Sequence, residues 1–175
     1  MAAIIIGTSA HYLGILELKS QLYSAMAEVV PSIHQAPQGT GAFFNESMFE
    51  NDLASGSQAY FVAVDERTEK IVGFISVGRR SSPNNPVFTP NSFANIDEIY
   101  VVPERRKQGI ANALVQAAFE WALANGLPTV KTGVYVHNSG GYQFWEMMGF
   151  TPYKALVEIN LTDIVPRDKN SPSCC

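Results

Sequence analysis

Ile99-Tyr100-Val101-Val102-Pro103-Glu104-Arg105-Arg106-Lys107-Gln108-Gly109-Ile110-Ala111-Asn112-Ala113-Leu114 is the stretch whose reading decides the fold. Residues 96–102 are dominated by β-branched and aromatic side chains and read as a strand. Pro103 ends it, having no N–H to give to a ladder. Residues 108–125 read as a helix. Asn112, Gln116 and Glu120 recur every four residues as one narrow wet strip. Nearly every other position is apolar, so most of the helix circumference is expected to be buried. The turn between the two elements carries Arg106-Lys107-Gln108-Gly109-Ile110-Ala111. A helix start offers unpaired backbone N–H groups and the positive end of the dipole. Gly109 lets a ligand come close to the backbone, and Ala111 keeps that approach open. The combination suits a diphosphate. It lacks the Gly-Lys-Ser/Thr of a phosphate loop and is not the Gly-x-Gly-x-x-Gly of a dinucleotide turn. On spacing alone, an anion site and a plain basic turn capping a helix weigh equally.

Working downstream, Gly126 and Pro128 end that helix. Residues 129–136 read as the next strand and 139–148 as a second helix. Gly149 suits the left-handed position after it, which lets Phe150 pack back on Trp145. Residues 154–161 read as a last strand, with a polar tail from Pro166. Working upstream, residues 79–95 contain three prolines and four asparagines. They read as a long loop, a common carrier of function. Residues 59–64 and 71–78 form a hairpin joined by the polar link 65–70. Asn45 caps a short helix reaching Leu53, after a loop at 37–41. Before it, Ile15, Leu18, Leu22, Met26 and Val29 make one helical stripe that Thr8 or Ser9 caps and Pro31 stops. Residues 4–7 are a short edge strand. The order β-α-α-β-β-β-α-β-α-β predicts an α/β (α+β) fold, one mixed sheet with helices on its faces.

The chain has 175 residues, 46% hydrophobic and 16% charged, with a formal net charge of −4. That length suits a single domain, expected over residues 1–165, which buries enough surface to need neither disulfide nor metal. A weakly acidic chain whose only basic cluster is Arg105-Arg106-Lys107 is a poor partner for nucleic acid. No run approaches the ~20 apolar residues of a membrane span, and the N-terminus lacks the basic and apolar regions of a signal peptide. The expected location is the cytoplasm, with no membrane partner. Cys174 and Cys175 are the only cysteines. They read as part of a flexible tail over 166–175 in preference to a lipidation signal.

The motif Ile99-Tyr100-Val101-Val102-Pro103, then Arg106-x-x-Gly109-x-Ala111, then Leu114, resembles the central motif of the GNAT superfamily of N-acetyltransferases. Asn138 followed by Phe144, Glu146 and Gly149-Phe150 resembles that family's next motif. The two lie in order, and with the element order the resemblance covers about residues 4–161. It implies a sheet split beside an acyl-CoA thioester, between the strands at 96–102 and 129–136. Backbone groups around Ile99, Tyr100 and Val101 would take the pantetheine arm, and one strand N–H would polarise the thioester carbonyl. The N–H groups of Arg106, Lys107, Gln108, Gly109, Ile110 and Ala111 would hold the pyrophosphate, and Asn138 would bond the pantetheine region. Acetyl-CoA is the implied co-substrate, with no metal.

The same resemblance implies direct attack by an amine, which must first lose a proton to a base. Asp97 and Glu98 begin the central strand and are expected on opposite faces. The resemblance favours Glu98, with His137 ranked lower. The leaving thiol, with a pKa near ~8.5, needs little help. Many members still place a tyrosine acid seven residues after the motif asparagine. Trp145 stands there in this chain, and an indole N–H is no acid at neutral pH. Tyr142, on the same helix, is the substitute, beside its reading as a packing aromatic. Phe43, Phe44 and Phe49 read as core more readily than as acceptor-pocket lining. The leading expectation is acetyl transfer to a primary amine of a small molecule. The alternatives are a protein or peptide amine as acceptor, and an acyl-CoA-binding module that has lost catalysis. Whether the chain forms a homodimer is left open.

Overall fold

The computed structural model describes residues 1–30, 44–87 and 91–159. Its elements are β1 (Ala2–Ile6), α1 (Tyr12–Val29), α2 (Glu46–Ser55), β2 (Gln58–Asp65), β3 (Ile71–Ser81), β4 (Ser92–Val101), α3 (Ile110–Ala124), β5 (Val130–Thr132) and α4 (Ser139–Met147). The strands form one mixed sheet in the order β1-β2-β3-β4-β5. The first four are antiparallel neighbours. β5 joins parallel to β4, as it must when the helix α3 carries the chain back across the sheet.

The sheet buries both faces. On one, α3 sets Ile110, Leu114, Val115, Ala118 and Ala122 against Ala63, Ile75, Val77, Ala94, Ile96 and Val101, with Trp145 of α4 completing the cluster. Each fully buried aliphatic side chain there contributes about 1.5–3 kcal/mol. On the other, α1 and α2 set Ile15, Leu18 and Phe49 against Val62, Phe74 and Tyr100. Phe44 is buried in this second cluster too, so Phe44 and Phe49 are core. Phe43, Pro31, the 37–41 loop and the tail from residue 160 lie outside the described residues.

Local signals read from the chain fixed several boundaries. Asn45 accepts the Met48 N–H at 2.9 Å and starts α2. α3 ends on Gly126 at φ 68°, with the Leu127 N–H returning to the Ala122 carbonyl at 2.9 Å. α4 ends on Gly149 at φ 86°, with the Phe150 N–H returning to Trp145 at 3.0 Å and the two rings 5.0 Å apart. Both ends are the left-handed cap that glycine adopts without a Cβ clash.

Four expectations are corrected. The 79–95 segment is shorter as a loop, because Gly78↔Asn95 through Ser81↔Ser92 extend the β3–β4 ladder. Arg79, Arg80 and Ser81 are polar and exposed, so the end of β3 lacks the alternation that marks a half-buried strand. The 129–136 strand shrinks to three residues, β5, since β4 offers it partners only at residues 94–96. No strand forms over 154–159. That stretch is irregular and exposed, with Leu156 88% and Val157 94% accessible and no partner strand among the described residues. The wet strip of α3 is wider than its polar residues suggest, with Leu123 72% exposed.

A β-bulge places the candidate site. Ser76 pairs with Glu98 and Val77 with Ile96, leaving Asp97 as an extra residue on β4. Ala94 and Ile96 face α3. Glu98 contacts α1, and Tyr100 is buried with it on that face. Asp97 bonds Gln58 and Arg80, which alternate with Tyr60 and Phe74 on the α1 face. Asp97 and Glu98 therefore share one face instead of opposing ones, because the inserted residue breaks the strand's alternation.

Candidate functional site

The site begins where β4 loses its second neighbour. β5 accompanies it only through Ala94↔Val130, Asn95↔Lys131 and Ile96↔Thr132, and β4 then runs on to Val101 with one edge open. The Val102 N–H bonds Val72 on β3 at 3.0 Å. Alternation back from there directs the N–H and C=O groups of Val101 and Ile99 to the open edge, and those of Tyr100 to β3. Arg106 donates its Nε–H to the Val101 carbonyl at 3.0 Å and lies 5.5 Å over the Tyr100 ring. Its guanidinium thus clamps the strand end, leaving the Ile99 groups and the Val101 N–H on the open edge. Tyr100 itself turns its ring to α1, and its hydroxyl donates to Gln21 at 3.4 Å.

The open edge leads to the start of α3. Lys107 at φ 58° and Gly109 at φ 80° are both left-handed, with one residue between them. Such a bend turns successive N–H groups to one side, an anion-binding nest. No side chain caps α3, and none of the N–H groups of Lys107 to Ala111 donates to a protein acceptor among the described residues. A Cβ built on Gly109 meets nothing within 4 Å, so the space over the turn is open. The three cations of the turn differ in fate. Arg105 pairs with the buried Asp65, Arg106 holds Val101, and Lys107 has no ion-pair partner among the described residues. Gln108 donates to the Glu104 carbonyl at 3.2 Å, bracing the turn.

A second group lies on the α1 face of the bulge. The Glu98 carboxylate accepts from the Lys19 ammonium and the Tyr23 hydroxyl, both on α1, and from Ser76 on β3 at 3.4 Å. The Lys19 and Glu98 side chains are only 7% and 12% exposed. The Lys19 Nζ also lies 4.3 Å from the Phe44 ring centroid, 5.7 Å from Phe74 and 5.8 Å from Tyr60, each within cation–π range. Burial, and then the negative charge of Glu98, push the Tyr23 hydroxyl well above its usual range. Burial and the hydrogen bond to Asp52, at 2.7 Å, do the same to Tyr60. Both phenols stay neutral donors. Asp97 accepts from Arg80 and Gln58 at 2.9 Å and from Asn95 at 2.7 Å, and is more exposed than Glu98.

The α4 candidates are arranged as follows. Asn138 is the N-cap, its Oδ1 accepting the Gly141 N–H at 3.0 Å, which leaves the amide Nδ2 uncommitted among the described residues. A Cβ at Gly141 would stand 2.7 Å from that Nδ2, so glycine keeps the amide in place. Tyr142 is half-buried, and its hydroxyl has no partner among the described residues. Trp145 is a core residue between Phe144 and Phe150, at 5.0 Å from each, which accounts for an apolar ring where the resemblance expects an acid. His137 sits in an exposed turn, five residues beyond the end of β5. Sequence reasoning missed Lys19 and Tyr23. The available signal was a lysine four residues after the buried Ile15, inside the apolar stripe of α1. No described helix is long and apolar enough to cross a membrane.

Comparison with known proteins identifies the family and the fold. Residues 24–150 match the model of the acetyltransferase (GNAT) family. An uncharacterized N-acetyltransferase of Methanocaldococcus jannaschii is 34% identical over 87 residues, which are 50% of this chain and only 37% of that relative. A tetramutant of the BH1408 protein of Bacillus halodurans shares the fold at a TM-score of 0.81 and 23% identity, over 91% of this chain and 99% of that one. The aminoglycoside N-acetyltransferase AAC(6′)-Iy, in complex with the bisubstrate analogue CoA-S-monomethyl-acetylneamine, shares it at 0.72 and 18% identity, over 91% and 97%.

Proposed function

The chain belongs to the acetyltransferase (GNAT) family, and we propose from that premise that it transfers an acetyl group from acetyl-CoA to a primary amine of a small molecule by direct attack. One observation carries the reading. The open edge of β4 at residues 97–101 leads straight into an uncapped nest of N–H groups at residues 107–111. An extended thiol arm fits the edge as an added strand, and a diphosphate fits the nest.

In this reading the Lys107–Ala111 N–H groups hold the pyrophosphate, and the Lys107 ammonium screens its charge. The Ile99 groups and the Val101 N–H align the arm, and the Asn138 amide supports it. A strand N–H polarises the thioester carbonyl. Glu98 is the base. The amine nitrogen bonds to the thioester carbon, the C–S bond breaks with its electron pair on sulfur, and the amine proton passes to Glu98, directly or through water. The thiolate then takes a proton from Tyr142 or from solvent. A small acceptor is favoured by the likeness in fold to the aminoglycoside N-acetyltransferase AAC(6′)-Iy.

The experiment is a panel of small amines and peptides with acetyl-CoA, read as thiol release. Turnover of a small amine that Glu98→Gln abolishes supports the reading. Preference for a peptide amine would redirect it to a protein acceptor. Binding of CoA with no turnover of any amine would favour an acyl-CoA-binding module.

A further inference from the structure

Glu98 makes more contacts than a proton acceptor needs. An ionised carboxylate offers about four lone-pair positions. Lys19 and Ser76 occupy Oε2, and Tyr23 occupies one position on Oε1. Among the described residues, one lone pair on Oε1 is left. The charged and titratable groups around this carboxylate are Lys19 and Tyr23 from α1, Tyr60 from β2 with Asp52 of α2 bonded to it, and Asp97 on β4 with Arg80 of β3. Of the two cations, Arg80 is engaged by Asp97, and Lys19 alone touches Glu98.

Lys19 is a costly choice for this position. Its ammonium is taken out of water, roofed by the Phe44, Phe74 and Tyr60 rings, and balanced among the described residues by Glu98 alone. A buried ion pair is weak evidence of stabilisation, because apolar residues of similar volume commonly hold a fold as well or better. Stability therefore does not account for the pair. We propose that Lys19 is a positioning residue, which fixes Oε2 of Glu98 so that the free lone pair of Oε1 receives the amine proton. The inference rests on Glu98 being the base and deepens that reading.

The test uses the full chain saturated with CoA and labelled with ¹³Cδ-glutamate. The Glu98 signal is identified by its loss in Glu98→Gln. In Lys19→Met, removal of the adjacent cation should move the midpoint of that signal. The acid limb of kcat/KM, measured with the best amine of the panel, should move with it, while KM for acetyl-CoA stays within about twofold. Lys19→Arg should restore both towards the parent values. Tyr23→Phe should move both in the same direction by less. If Lys19→Met loses its fold, shown by absence of a cooperative melting transition, Lys19→Gln removes the charge while keeping a donor and is read in the same way. An unmoved midpoint with an unmoved acid limb overturns the proposal. Full activity in Glu98→Gln would instead sink the base assignment. An inactive Glu98→Gln beside a parent-like lysine variant sinks only the role of Lys19.

Discussion

The two faces of the sheet are built on opposite principles. The α3 face is a dry cluster of aliphatic side chains with Trp145 at its rim. The α1 face has a comparable apolar floor but also buries Lys19, with Glu98 beside it. The first face needs only volume and shape, so many sequences would serve it. The second sets charged groups in a poor solvent, which is tolerable only with every donor and acceptor matched. No buried side-chain nitrogen or oxygen among the described residues is left without a partner. The contrast separates a side held together by apolar packing from a side that also buries an ion pair.

Glu98→Gln tests that contrast with the largest expected effect. It removes the carboxylate proposed as the base, so kcat/KM for the amine should fall by about 10²–10⁴-fold. Thiol release under steady-state conditions reads this directly; the variant should also melt below the parent, because the buried Lys19 loses its counter-charge, and a cooperative melting transition shows that it remains folded. The reverse signature belongs to Leu114→Ala on the α3 face. Loss of a fully buried leucine should cost about 2–5 kcal/mol in denaturant unfolding. The double change Lys19→Met with Glu98→Leu should leave stability unchanged or raise it. A double variant as unstable as Leu114→Ala would erase the distinction between the faces.

Ligand linkage is a middle-sized effect. CoA at about 100 times its dissociation constant should add about 2.7 kcal/mol of stability, visible as a thermal shift. Absence of a shift at millimolar CoA would contradict the nest as a phosphate site. Alkaline pH gives the smallest effect. Tyr23 and Tyr60 both titrate above their usual range in the fold. The unfolded phenols ionise near ~10, so the folded state holds protons that the unfolded chain has lost. Their stabilising contribution is complete below that pH and is lost as pH rises above it. Thermal unfolding between pH 9 and 12 should show the decline, reduced in Tyr23→Phe.

The same contrast explains which features could be read from the chain. The α3 side was legible because its signals are local. A strand, a proline, a basic glycine turn and an apolar helix follow one another between residues 96 and 125. The glycine caps at 126 and 149 also act through neighbours in sequence. The α1 side depends on contacts between distant residues. Lys19 and Glu98 are 79 positions apart, and Tyr23 and Glu98 are 75 apart. Nothing near Lys19 announces a partner, and a single lysine in a helical stripe looks like an interruption. The ladder over Gly78–Ser81 and Asn95–Ser92 was hidden for another reason, since the polar, exposed run Arg79-Arg80-Ser81 has no period to detect. The strand expected at 154–161 finds no partner strand among the described residues, and a reading of one segment does not supply a neighbour.

Asp97 can also be counted as an insertion. Removing it leaves Ala94 and Ile96 facing α3, Glu98 and Tyr100 facing α1, and Ile99 and Val101 facing α3, which is the alternation of an unbroken strand. The sheet thus carries one residue more than its pleat requires. That surplus sits where β4 parts from β5, and bulges bend and twist the strand that holds them. A chain shortened by this one residue would have a straighter β4 and a longer partnership with β5. The open edge of β4 beyond Ile96 would shorten with it.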